Sequence, residues 1–205
     1  MQMTTPYDPA ILNAGIRYLR LGYVTSFESG HTLTVGDRAG SDKRGVKLTP
    51  AYHALISSLD PTVGDREFTA EELGLLGWLA GQGFIALVPD DAGLDDLTVV
   101  PVPRRDLTVV EELDEGYLLR AGDDAPFVVS ELGARFLPLV DGQRTLGAIA
   151  HTVKTEILAD HEERLSVENN EKAQERTFDS FLVDEALVLI RDFTRSGAIT
   201  FEPTA

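Results

Sequence analysis

The sequence predicts an α+β fold of two tandem winged helix-turn-helix units, each a small antiparallel sheet followed by two or three helices. Three observations predict it. Short β-branched and aromatic runs alternate with stretches of helical periodicity, and four of those stretches open on a Ser or Thr cap, at Thr49, Thr69, Ser130 and Thr145. The order of strands followed by helices occurs twice. The two occurrences also share landmarks: Thr49 matches Ser130, Leu55 matches Phe136, Ile56 matches Leu137 and Asp60 matches Asp141 without a gap, and Leu79, Gly83 and Ile85 match Phe193, Gly197 and Ile199. Asp60 and Gly83 are 23 residues apart, Asp141 and Gly197 are 56 apart, and so the first copy reads as a degenerate unit lacking its middle helix.

Residues 1–14 read as an irregular arm and 15–88 as the degenerate unit. Ile16 to Leu21, Tyr23 to Phe27 and Thr32 to Val35 are strand-like, with the turn cluster Glu28-Ser-Gly-His after the second. Asp37 to Gly45 reads as a charged hairpin loop and Val46 to Leu48 as a short strand. Thr49-Pro50 opens a helix over 51–59, because a cap followed by a first-turn proline satisfies one orphan donor and presets the backbone. Thr69-Ala-Glu-Glu is a capping box for a second helix, stopped by Gly81 and Gly83 ahead of the apolar run Phe84 to Val88. Residues 89–100, acidic and turn-forming, read as a solvated linker. In 101–205 the strands are Leu107 to Leu113, Tyr117 to Ala121 and Phe127 to Val129. A helix from Ser130 stops at Asp141-Gly142, a second opens at Thr145, and an acidic insert at about 158–178 reads as a solvated helix extension or a loop. The final helix carries apolar residues at Leu182, Val183, Ala186, Leu187, Val188, Leu189, Ile190 and Phe193, an arc wider than one core-facing stripe requires.

Composition narrows the function classes. The formal charge is -16, with 18 basic residues against 34 acidic ones, so the chain's field repels a polyanion. There is no cysteine, which excludes disulfides, thiolate zinc sites, iron-sulfur clusters and thiol nucleophiles. The first residues lack a basic flank and an apolar signal core, and no apolar run is long enough to cross a bilayer, so a cytoplasmic location is expected. His31, His53, His151 and His161 do not share metal-ligand spacing on one helix face, and Asp90, Asp91, Asp95 and Asp96 lack the spacing of a calcium loop. Gly36, Gly40 and Gly45 are too irregular for a phosphate loop, and no serine sits in a nucleophile elbow. No cofactor is called for, and the chain reads as a protein that is not an enzyme.

Two phrases, Leu139-Val-Asp-Gly-Gln-Arg-Thr-Leu146 and Leu189-Ile-Arg-Asp-Phe-Thr-Arg-Ser-Gly197, together with the order of three strands and three helices, resemble the PqqD-like peptide chaperones, or RiPP recognition elements. The resemblance covers roughly the second half of the chain. It departs in the long polar connector from Lys154 to Phe178, where the family has a tight turn. The resemblance implies that the leader of a ribosomally made precursor peptide adds as a strand beside the third strand and packs between it and the third helix. Strand addition is physically reasonable, since an open edge offers unpaired backbone groups to an extended chain.

The candidate peptide-binding surface is therefore Phe127, Val128, Val129 and Ser130 with Val183, Leu187, Arg191 and Thr194 on one face of the last helix, while Ala186, Leu189, Ile190 and Phe193 point to the core. Arg191 either fixes an acidic side chain of the guest or pairs with Asp184 or Glu185. The function expected is capture of a precursor-peptide leader and its presentation to a separate peptide-modifying enzyme. Neither nucleic acid nor membrane is an expected partner, and the first unit docks the enzyme or stabilises a homodimer. A winged-helix transcriptional regulator and a winged-helix scaffold subunit are the alternative readings.

Overall fold

The computed structural model describes residues 15–28, 30–36, 44–61, 67–123, 125–174 and 177–201. The expected arm at 1–14 and most of the expected hairpin loop at 37–45 lie outside them. Within them the chain is a mixed α+β fold of small antiparallel sheets and six helices.

The strands β2 (Tyr23–Phe27), β3 (Gly30–Val35) and β4 (Arg44–Leu48) form one meander, followed by α1 (Pro50–Ser58) and α2 (Ala70–Gly81). A second meander contains β7 (Leu107–Leu113), β8 (Gly116–Ala121) and β9 (Phe127–Ser130), with an irregularity between Val109 and Glu111. It is followed by α3 (Glu131–Phe136), α4 (Leu146–Ala159), α5 (His161–Gln174) and α6 (Phe178–Arg195). Each half is bracketed by a two-stranded pair that joins the segment ahead of its meander to the segment after its last helix. β1 (Ile16–Arg20) pairs antiparallel with β5 (Ile85–Pro89), and β6 (Pro101–Pro103) pairs with β10 (Ile199–Phe201).

Local chemistry sets the element ends. The Thr49, Ser130, Thr145 and Thr177 side chains accept from the backbone N–H of Tyr52, Gly133, Ala148 and Ser180 at 3.0–3.2 Å. Thr69 and Glu72 complete a reciprocal capping box. The two matched glycines end α2 and α6 in the same way. Gly83 and Gly197 have φ of 73° and 68°, and the N–H groups of Phe84 and Ala198 donate to the carbonyls of Leu79 and Phe193, each at 2.9 Å. This left-handed exit turns the chain back along the helix, where only glycine avoids a Cβ penalty.

Buried side chains of both halves, among them Leu33, Ile56, Leu76, Phe136, Leu146 and Phe193, belong to one hydrophobic cluster. The segment read as a solvated linker belongs to it too. Leu94 and Leu97 are 3% and 2% exposed, and the N–H groups of Leu146 and Gly147 donate to the carbonyls of Val99 and Leu97. Residues 94–96 form a 3-10 turn against the start of α4. The acidic residues of this segment point outward while its two leucines each bury an apolar side chain, contributing about 2 kcal/mol apiece. Composition alone hides that division.

Most of the insert, His161–Gln174, is a helix. Asp160 opens α5 by accepting from the N–H of Glu163, and the Arg135 guanidinium pairs with Glu163 to fasten the helix to α3. Val167 packs on the core, while Leu165 is 44% exposed. Among the described residues, no helix is long and apolar enough to cross a membrane.

Candidate functional site

The residues singled out on β9 lie together at the end of the second meander. Strand order is β7-β8-β9, so among the described residues one edge of β9 has no strand beside it. Val128 is 59% exposed and Val129 is 4% exposed, the alternation a half-buried strand requires. A Cβ on Gly116 would lie 2.1 Å from the carbonyl oxygen of Val129, which therefore points into the sheet towards β8. Because ladder groups alternate in an antiparallel pair, the N–H and C=O of Val128 point to the open edge.

Two contacts place α6 beside this strand. The Phe127 ring meets Phe193 edge-on, with centroids 5.5 Å apart, and the Ser130 hydroxyl donates to Glu185 at 3.4 Å. Ser130 also caps α3, so its backbone position is fixed by the helix it opens.

The helix face predicted to line the groove is not open. Val183, Leu187 and Thr194 are 0% exposed, and the Thr194 hydroxyl donates to the carbonyls of Ile190 and Arg191. Arg191 pairs with Asp60 and with its neighbour Asp192, both at 2.8 Å, rather than with Asp184 or Glu185. On the same side Asp184 holds Arg17 of β1, and Arg195 donates to the carbonyl of Leu59. The N-terminal half fills the space that the sequence reading assigned to a guest peptide. Two sides of α6 need apolar cover, and the periodicity does not say which cover comes from the chain itself.

The half-exposed stripe of α6 lies one turn round, at Phe181, Glu185, Val188 and Asp192. Its spacing of four, three and four residues keeps these side chains on one face, and Glu185 directs that face to the end of β9. Beyond Ser130 the stripe runs into a cavity of about 440 Å3 walled by Leu132, Ile157, Val167, Phe178 and Phe181, with Asp114, Glu115 and Glu131 on the rim. Phe181, 38% exposed, is the residue that sequence reasoning missed; it stood outside the apolar arc counted from Leu182.

The phrase around Asp141 has a structural role. Its carboxylate accepts from the N–H groups of Gln143 and Arg144 and from the Arg144 side chain, and the two backbone donors hold its pKa below the usual carboxylate value. With Gly142 at φ 75°, this turn delivers Thr145 to the start of α4.

Histidines scattered in the sequence also meet. The His31 and His53 rings stack 3.6 Å apart at an interplanar angle of 7°, each bonded to a serine, Ser26 and Ser57. No group of three or more metal-ligating side chains is assembled among the described residues. No protein-family model matches the chain, and no curated protein or solved structure matches it either.

Proposed function

We propose that the chain is a noncatalytic adaptor of two tandem winged helix-turn-helix units, the second PqqD-like, which captures the leader segment of a ribosomally made precursor peptide. It presents the remainder to a separate modifying enzyme. The observation that carries this reading is the open edge of β9, where the backbone groups of Val128 face outward beside the Phe181, Glu185, Val188 stripe of α6. An extended guest satisfies those backbone groups as an added strand, and alternate side chains of the guest reach the stripe and the apolar cavity. The acidic rim favours a guest with aliphatic or aromatic anchors and a basic flank. Modest affinity is sufficient, because holding the leader raises the effective concentration of the peptide at the enzyme.

The test is fluorescence polarisation of labelled N-terminal fragments of precursor peptides encoded beside the gene. The decisive variant is Val128→Pro, which removes an outward N–H without removing a bond to β8. Saturable binding by the parent chain, weakened at least about tenfold in the variant, supports strand addition; tenfold corresponds to about 1.4 kcal/mol. Equal binding by the two proteins refutes it, and absence of binding favours a scaffold role.

A further inference from the structure

The internal match between the two halves continues into the strands. Leu48 of β4 pairs with His31 and Val46 with Leu33, just as Val129 of β9 pairs with Tyr117 and Phe127 with Leu119. With Thr49 standing where Ser130 stands, both strands run directly into a capped helix. Exposure agrees as well: Lys47 and Val128 are exposed, and Leu48 and Val129 are buried.

The neighbouring strand pair fixes where the backbone groups of β4 point. A Cβ on Gly22 would lie 2.3 Å from the carbonyl oxygen of Thr34, so Thr34 turns its ladder groups towards β2. Leu33 therefore turns towards β4 and bonds with Val46, and by the same alternation Lys47 presents its N–H and C=O to the outer side. Strand order is β2-β3-β4, so among the described residues no strand lies beside that side. No described backbone group outside the sheet bonds to Lys47 either. Strand β4 is thus a second open edge, matched to β9 residue for residue.

One side chain distinguishes the two edges. Where β9 offers the apolar Val128, β4 offers the Lys47 ammonium, which has no carboxylate partner among the described residues. Its row across the sheet continues through Thr32 and Thr25, two short neutral side chains. Directly opposed side chains on neighbouring strands attract when their charges differ and repel when they match. A second copy that pairs through this edge in register sets Lys47 against its own counterpart, so the lysine disfavours self-association and favours a carboxylate.

We propose that the edge of β4 takes an extended acidic segment of a partner protein, which adds as a strand with a carboxylate opposite Lys47. The site is on a different sheet from β9 and does not rest on leader capture.

The experiment uses the full chain and two labelled octapeptides that alternate valine with glutamate or with glutamine. The glutamate peptide is expected to bind at least about threefold more tightly, although the chain as a whole is acidic, and to slow hydrogen exchange at the Lys47 amide at least about fivefold. Lys47→Gln should erase the preference with an unchanged unfolding midpoint. Lys47→Pro, which removes an outward N–H and no bond to β3, should weaken both peptides, and Val128→Pro should weaken neither. Four results would overturn the proposal: no binding of the glutamate peptide, equal affinity for the two peptides, a preference that survives Lys47→Gln, or slowed exchange at Val128 in place of Lys47. Protection of the Lys47 amide that grows with the concentration of the chain alone would also overturn it, by assigning the edge to a second copy.

Discussion

Arg191 donates to Asp60 across 2.8 Å, and this bond ties the last helix of the chain to the residues that follow its first. The two side chains are 21% and 27% exposed, and the carboxylates of Asp192 and then Asp60 hold the guanidinium in its charged form. A pair this shielded contributes more than a fully exposed one. Arg191→Met and Asp60→Asn should each cost about 1 to 2 kcal/mol, with a coupling of about 1 kcal/mol in a double-mutant cycle followed by urea unfolding. Additive losses would mean that this pair contributes nothing to joining the two halves.

Two glycines in helices should respond in opposite directions. A Cβ on Gly74 meets nothing within 4 Å, so Gly74→Ala should raise stability by about 0.5 to 1 kcal/mol through helix propensity. A Cβ on Gly147 would lie 2.1 Å from the carbonyl oxygen of Leu94, so Gly147→Ala must push the 3-10 turn off α4 and should cost about 2 kcal/mol or more. Thermal unfolding of the two variants checks both. A neutral Gly147→Ala would contradict the docking of residues 92–99.

The stacked imidazoles make stability depend on pH. Burial, the neighbouring His31 and Arg20 lower the pKa of His53 below 6.5. The unfolded chain therefore takes up a proton at higher pH than the folded one. His53's contribution is fully present above 6.5 and is lost as pH falls from 6.5 to the folded pKa. An NMR titration should find His53 below the usual value, and His31→Ala should move it back up.

What was legible in the sequence was mostly local. Thr49, Thr69, Ser130 and Thr145 cap helices where they were read to, because a cap and its acceptor lie three residues apart. The strands over 23–27 and 107–113 carry their β-branched and aromatic or aliphatic residues within themselves and are flanked by turn residues close in sequence. Long-range pairings were not legible. Pro101 and Pro103 argue against a strand, yet β6 exists by pairing with a segment almost a hundred residues later. Of the site, Phe127 and Ser130 lie beside the last helix, against Phe193 and Glu185. The open face of that helix was misread because Arg17 and Asp60, which cover the other side, are distant in sequence.

Leu165 and Phe181 present large apolar side chains at 44% and 38% exposure, Phe181 on the wall of the cavity beyond β9. Phe181→Ser should reduce capture of an apolar-anchored peptide severalfold while costing less than about 1 kcal/mol in unfolding, since a side chain already in contact with water gives up little on truncation. Calorimetric titration beside an unfolding curve separates the two effects. Loss of binding together with loss of fold would reassign Phe181 to the core.

The open edge of β9 can be read at a single amide. Hydrogen exchange at Val128, followed by NMR in the intact chain with and without a precursor N-terminal fragment, should slow at least about tenfold on addition of peptide, while Val129, already facing β8, changes little. A bound peptide that leaves exchange at Val128 unaltered would contradict strand addition at β9.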